Sequence, residues 1–280
     1  MYLGTKERTV WIKDPNTNSD YDVIGYLDTI NYLNGGVGVR DSKNSHREYS
    51  YTWNVMSRAM IGDLEGFSSG LYGDGLIYFL DPVAMDKNLF SAQWAAPKIT
   101  AEDGIPLAGT VRPAKVLVGD TSLAYPLYGA QYSVTTSTPK REFYSPLPTG
   151  FTAWVGAHGT VAAKGLIVQP TFRGAPSGAA ITVPVTAVNN PSPFSVSLNG
   201  ATGSVDGFTV SLDTSATLTH TLSGLMLQVL PTGTSPTGTN FIPGRGNSGC
   251  EMSRVKTTPY YLPNEVLGAS LKLIEVGDWL

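Results

Sequence analysis

The sequence is poor in the residues from which metal and disulfide sites are built. Its 280 residues include one cysteine, Cys250, and three histidines that lie far apart. A single cysteine excludes an intrachain disulfide and a cysteine-based zinc site. None of the histidines has a second histidine or a carboxylate at ligand spacing. We therefore expect neither a disulfide framework nor a metal centre.

Long apolar runs and a surplus of cations are also absent. The sequence contains no run of about 18 apolar residues, the length that would predict a transmembrane helix. Residues 1–8 have no apolar core of the kind found in signal peptides. The formal net charge of −3 leaves no excess of lysine and arginine to neutralise phosphates. We expect no membrane insertion, no nucleic-acid specificity and folding in a reducing cytoplasm.

Helix signals are scarce, whereas strand signals recur along the chain. Helical periodicity is limited to a turn or two around residues 56–64. Residues 48–55 alternate with period two, which places four side chains on one face of a strand: Tyr49, Tyr51, Trp53 and Val55. After residue 150, short apolar segments recur roughly every 10–15 residues, a spacing typical of a sandwich or jelly roll. The sequence therefore predicts an all-β protein.

A stiff proline- and glycine-containing break at residues 146–150 suggests a domain boundary. We place it between a first domain, residues 1–147, and a second domain, residues 148–280. The second domain is nearly neutral, because Asp206 and Asp213 are its only charged residues between Arg173 and Arg245. Within it, residues 231–249 are rich in Gly, Thr, Ser and Pro and are predicted to form a long loop.

The patterns that resemble catalytic or binding motifs have simpler explanations. Residues 14–22 carry oxygen side chains at alternate positions, but Ser19 and Gly25 occupy the positions where an EF-hand loop needs Gly and Glu. The segment 246–250 lacks the spacing of a nucleophile elbow. Few acids in the second half are placed to converge in a cleft, as a glycoside hydrolase requires. We therefore predict no enzyme activity and no cofactor.

Six segments, taken in order, carry a family resemblance. In the first half they are YSYTWN at 49–54, GLYGDGLIYFLDP at 70–82 and NLFSAQWAAP at 88–97. In the second half they are LSGLMLQVL at 222–230, GRGNSGC at 244–250 and LGASLKLIEVG at 267–277. Together they resemble the minor tail proteins of long-tailed phages (siphoviruses) that infect actinobacteria, especially those of the distal-tail type.

This resemblance implies a structural protein of the virion tail tip, made in the host cytoplasm. Proteins of the distal-tail type have an N-terminal β-sandwich that assembles into a ring, usually of six copies. The ring joins the tail tube protein to other minor tail and tip hub proteins of the baseplate. A C-terminal jelly roll, galectin-like or similar to carbohydrate-binding modules, projects outward. On this plan residues 1–147 form the ring domain and residues 148–280 the peripheral domain.

Two sets of residues are candidates for contacts. Exposed arginines and aromatics near a sheet edge suit oligomer contacts, so the first set is predicted at a subunit interface: Arg40, Arg47, Tyr49, Tyr51, Trp53, Arg58, Tyr72 and Trp94. Aromatic rings of the second half either fill a core or an interface or stack on sugar rings, and the candidate glycan contacts are Trp154, Tyr260 and Tyr261. The alternative function is therefore a receptor-recognition module of the tail tip that binds a host cell-wall glycan.

Overall fold

The computed structural model describes residues 1–16, 20–31, 37–73, 75–80, 82–90, 95, 110–118, 127–134, 142–159, 166–184, 196–199, 205–213, 218–236, 244, 246, 249–259 and 266–276. These residues confirm the all-β prediction, since antiparallel sheets dominate. The chain forms two compact units. Unit 1 comprises Met1–Trp11 and Tyr78–Ser248, and unit 2 comprises Ile12–Ile77 and Gly249–Leu280. Among the described helices, none is long and apolar enough to cross a membrane.

The elements follow in chain order. The first half contains β1 (Tyr2–Gly4), β2 (Thr9–Trp11), β3 (Asp20–Asn31), β4 (Val37–Ser57), α1 (Arg58–Ser68), β5 (Tyr78–Leu80), α2 (Pro82–Met85), β6 (Thr110–Val118), β7 (Leu127–Val134) and β8 (Phe143–Pro146). The second half contains β9 (Phe151–Gly159), β10 (Leu166–Phe172), β11 (Ala175–Pro176), β12 (Ile181–Val183), β13 (Val196–Asn199), β14 (Gly207–Leu212), β15 (Leu218–Pro231), β16 (Cys250–Met252), β17 (Lys256–Pro259) and β18 (Val266–Glu275).

Unit 1 contains a jelly roll. Its two five-stranded sheets have the orders β13-β9-β15-β7-β6 and β11-β10-β14-β8, with β12 also paired to β10. Four strand pairs are nested along the chain: β7 with β15, β8 with β14, β9 with β13, and β10 with β12. Such nesting arises when a chain folds back on itself as one long hairpin that then wraps into two sheets, which is the jelly-roll arrangement. A jelly roll is therefore confirmed, but its strands run from β7 to β15 rather than over the predicted residues 148–280.

The core of unit 1 lies between these two sheets. Alternate residues of β9 and β15 point inward, and they are small on one strand and large on the other: Ala153, Val155 and Ala157 against Leu225, Leu227 and Val229. The opposite sheet contributes larger groups such as Phe143 and Phe208. This interdigitation of large and small side chains lets each sheet bury one face at the density of a protein interior.

Unit 2 is built on the sheet β16-β18-β4-β3, with β17 also paired to β18. The helix α1 follows β4 directly. It begins because the Ser57 hydroxyl accepts a hydrogen bond from the backbone N–H of Met60 at 3.3 Å. It ends at Ser68, and the φ of 75° at Gly70 allows the backbone N–H of Leu71 to donate to the carbonyl of Gly66 at 2.9 Å. The helix predicted around residues 56–64 is thus confirmed, and it extends to Ser68.

The division into units differs from the boundary that we placed at residue 147. The strands on either side of it, β8 and β9, both belong to the jelly roll, and Gly150 forms the turn before β9 with a φ of 85°. Residues 12–77 of the expected ring domain lie in unit 2, whereas residues 78–147 lie in unit 1. In place of the expected N-terminal sandwich, the described part of unit 2 has one sheet and a helix. Proline and glycine at residues 146–150 mark a turn within a domain rather than a linker.

Candidate functional site

The aromatic stripe of β4 packs inside unit 2. Tyr49 and Trp53 are 5% and 1% exposed, and Tyr51 between them is half-buried. The ring centroids lie 6.4 Å apart for Tyr49 and Tyr51 and 6.1 Å apart for Tyr51 and Trp53. Trp53 Nε1 donates to the carbonyl of Lys13 at 2.7 Å. Because their side chains are already covered by their own chain, Tyr49 and Trp53 are core residues rather than interface residues.

A β-bulge ends the alternation of β4 one residue early. Trp53 is opposite Ala269 and Met56 is opposite Leu267, so β4 uses one residue more than β18 between these pairs. The extra residue inverts the facing of the strand beyond it. Val55 is consequently 50% exposed, and Met56 is 1% exposed and packs inward. The prediction that Val55 shares the face of the aromatic residues is therefore wrong.

The predicted interface arginines have different surroundings. Arg47 is 21% exposed and its Nε lies 3.5 Å from the carboxylate of Glu275, which also accepts the Arg47 backbone N–H at 3.2 Å. This pair ties the end of β18 to β4. Arg58 is exposed as the first residue of α1. Arg40 lies opposite Asp28 in the β3–β4 register, and its side chain, like the whole of Trp94, lies outside the described residues.

Tyr72 closes the C-terminal end of α1. Its hydroxyl donates to Asp63 at 2.9 Å, and its ring contacts Phe67 edge-on with 5.0 Å between centroids. The ring lies directly on Gly66, where an added Cβ would be 2.5 Å from a ring carbon. These contacts give Tyr72 a packing role within the chain, although its side chain is only half-buried. An interface role for Tyr72 stays a prediction.

The buried side chain of Asn88 makes the backbone hydrogen bonds that a neighbouring strand would otherwise make with one edge of β15. The Asn88 side chain donates to the carbonyl of Leu225 at 2.9 Å and accepts from the backbone N–H of Leu227 at 3.1 Å. Its oxygen also accepts the N–H of Phe90 at 3.2 Å. The site is completed by Gly246, whose N–H donates to the carbonyl of Asn88 and which leaves no room for a Cβ against Leu89. Nothing in the sequence marks this role.

Trp154, the candidate glycan contact, lies on the outer face of the jelly roll. It is half-buried on β9, between Ser197 of β13 and Gln228 of β15. Its indole N–H is buried, and no described atom accepts a hydrogen bond from it. Gln228 is itself held in place by donating to the carbonyl of Asp86 at 2.8 Å. Tyr260 and Tyr261 lie outside the described residues.

A polar cluster lies on the outer face of the second sheet, in which Tyr144 and Thr171 are buried and Thr9 and Asp206 are half-buried. Burial, followed by the negative charge of Asp206, raises the pKa of Tyr144, and the Thr9 hydroxyl offsets part of this effect. Burial also raises the pKa of Asp206, although its carboxylate accepts the backbone N–H of Arg173 at 3.0 Å. Among the described atoms, the hydroxyls of Thr9, Tyr144 and Thr171 have no partner with hydrogen-bond geometry.

Neither metal ligands nor an exposed thiol are found in the part of the chain that the structure describes. No group of three or more His, Cys, Asp or Glu side chains is placed to hold a metal ion there. The thiol of Cys250 is fully buried, and its backbone exchanges two hydrogen bonds of 2.8 Å with Ile77.

Comparisons with known proteins give little further guidance. No family model and no curated protein matches the chain. Among solved structures, the infectious bursal disease virus VP2 subviral particle is 12% identical over 94% of this chain and 78% of that chain, with a TM-score of 0.20. The structure of the infectious bursal disease virus Gt strain is 13% identical over 95% and 76%, with a TM-score of 0.17. TM-scores this low support no inference about function.

Proposed function

We propose that this protein is a structural protein of a virion. The observation that carries the proposal is the nested strand pairing of unit 1, β7–β15, β8–β14, β9–β13 and β10–β12. Jelly rolls of this kind form viral capsid and lectin domains. Because one fold hosts many functions, the jelly-roll topology supports a structural or binding role but does not say which one.

The finer assignment comes from the sequence resemblance. We propose a minor tail protein of the tail tip, of the distal-tail type, in a phage that infects actinobacteria. Its work is assembly: copies of the chain form a closed ring, of six by the resemblance, that joins the tail tube protein to the tip hub proteins. Ring closure requires a heterologous contact, in which two different surfaces of the same chain meet.

The test is the mass of the purified protein, measured by light scattering coupled to size exclusion and accompanied by negative-stain images. The proposal predicts discrete rings with a mass several times the 29.8 kDa of one chain. If the protein remains at 29.8 kDa at every concentration and also fails to join a purified tail tube, the ring proposal is wrong.

A second candidate function, glycan binding, is favoured by one observation at Trp154. Its ring is half-buried on the outer face of the sheet and so keeps part of its surface exposed. A pyranose face can stack on this exposed part of the indole, whereas the indole N–H is buried and takes no part in the contact. The test is binding of cell-wall polysaccharide, measured by calorimetry. Trp154→Phe should weaken binding several-fold and Trp154→Ala should abolish it, whereas Thr182→Ala, an exposed change on β12, should have no effect. Equal binding by all variants would exclude Trp154.

A further inference from the structure

The longest pair of strands in the chain extends well beyond its sheet. The β3–β4 register runs from Asp20 opposite Ser50 to Asn31 opposite Val37. The next strand, β18, pairs with β4 only between Glu48 and Ser57. Within the described strands, residues 24–31 and 37–46 therefore form a two-stranded ribbon without a third strand. A two-stranded ribbon is marginally stable by itself in water, so this one requires further contacts.

Both outer edges of this ribbon are candidates for pairing. The strand β3 is the last in the sheet order β16-β18-β4-β3, and its 12 residues span about 40 Å at roughly 3.3 Å per residue. Exposed edges are usually blunted by charged residues, especially lysine, by proline, by β-bulges or by shortening the strand. The sequence of β3, DYDVIGYLDTIN, contains no lysine, arginine or proline. The register of the ribbon shifts between Ile24 and Tyr26, where residues 43–45 of β4 lie opposite Gly25. Apart from this irregularity and its aspartates, β3 is a long edge strand that is suited to pairing with another strand.

The charges of the two edges distinguish between possible partners. β3 carries three aspartates, Asp20, Asp22 and Asp28, and no cation. The segment 37–46 of β4 carries Arg40 and Lys43 against one aspartate, Asp41. Two β3 strands paired edge to edge would place aspartates against aspartates. Pairing β3 with the open edge of β4 in another copy places acidic residues against basic ones.

We propose that the open edge of β3 pairs with the open edge of β4, residues 37–46, in a neighbouring copy of this chain. The inference rests on the ring of the proposed function and names the surfaces that close it. Because the two edges are different, the contact is heterologous, and each copy offers β3 on one side and β4 on the other. Repetition of such a contact closes a ring when the rotation between copies permits it.

Two variants and their mixture test this pairing by the mass of the assembly. The first variant, Asp20→Lys with Asp22→Lys, makes the β3 edge basic. The second, Arg40→Glu with Lys43→Glu, makes the β4 edge acidic. Each alone should run at the monomer mass, since its two edges now repel. Their equimolar mixture should recover the wild-type mass, because each edge of one variant complements an edge of the other. Repulsion within a single hairpin cannot be relieved by mixing.

The control is Glu251→Lys, an exposed change on β16 at the other edge of the same sheet. It should assemble as the wild type does. Circular dichroism shows whether each variant is folded, and hydrogen exchange on the wild-type protein provides a measurement that needs no variant. Assembly should slow amide exchange in residues 20–31 and 37–46 at least tenfold while leaving Lys256–Pro259 unchanged.

The outcomes separate this inference from the proposed function. If the wild type forms no ring under any condition, the ring itself is wrong and the edge pairing is wrong with it. If the wild type forms rings and both variants do so too, the ring stands and the edge pairing is overturned. Rings without protection of residues 20–31 also overturn it.

Discussion

The replacement of Asn88 by alanine provides a direct test of how β15 is held at its free edge. In the native protein this side chain is fully buried and makes three hydrogen bonds to the backbone, with Leu225, Leu227 and Phe90. Asn88→Ala leaves one carbonyl and two N–H groups buried without these partners. Each such group costs about 1–3 kcal/mol. Allowing for entry of a water molecule, the expected loss of unfolding free energy is about 3–5 kcal/mol.

The measurement is urea unfolding followed by circular dichroism and by tryptophan fluorescence, because the two units need not unfold together. Since 1 kcal/mol shifts the melting temperature of a chain of 150–250 residues by about 2–4 °C, thermal unfolding of unit 1 should shift by roughly 6 °C or more. Asn88→Asp keeps the two accepting bonds but loses the donor and buries a charge, so it should be at least as damaging at neutral pH.

Thr182→Ala serves as the control, because Thr182 is exposed on β12 in the same unit. It should change the unfolding free energy by no more than about 0.5 kcal/mol. A loss below about 1 kcal/mol for Asn88→Ala would falsify the reasoning, since it would mean that the edge of β15 is satisfied without this side chain.

Two further predictions concern Gly66 and Asp206. Gly66→Ala places a Cβ 2.5 Å from the Tyr72 ring and should destabilise unit 2 by about 1–3 kcal/mol in urea unfolding. The control is Gly62→Ala on the same helix, where the added Cβ meets open space and should stabilise unit 2 by up to about 1 kcal/mol. Equal effects of the two changes would contradict the packing of Tyr72 on Gly66. Because burial raises the pKa of Asp206, its stabilising contribution is present below pH 3.8 and is lost as the pH rises through the folded-state pKa. Asp206→Asn should therefore gain stability relative to the wild type as the pH rises above 3.8, and a constant difference in urea midpoint across that range would refute the assignment.

The jelly roll was predictable because its strands are short, apolar and regularly spaced. The apolar segments that recur after residue 150 correspond to strands such as β9 and β14. The nested pairing that defines the topology could not be predicted in the same way. It joins strands far apart in sequence, such as β7 and β15, and no local pattern records which strand pairs with which.

The composition of unit 2 could not be predicted from the sequence for a related reason. It combines Ile12–Ile77 with the last residues of the chain, Gly249–Leu280. A composition break can reveal a boundary between consecutive segments, but it gives no sign that two distant segments share a sheet.

The predicted alternation of side chains along β4 was wrong at Val55 for a different reason. A bulge adds one residue without any signal in the apolar pattern, and the opposing strand determines where it occurs.

The two proposed functions depend on residues in different parts of the chain. Ring closure through β3 and β4 concerns residues 20–46 of unit 2, whereas glycan binding concerns Trp154 on β9 of unit 1. Since the charge variants leave β9 unaltered and the Trp154 variants leave β3 and β4 unaltered, their effects should be independent. Charge reversal on β3 should abolish the ring while leaving sugar affinity per chain unchanged. Loss of affinity per chain in the charge variants would instead mean that the glycan site forms only in the assembled ring.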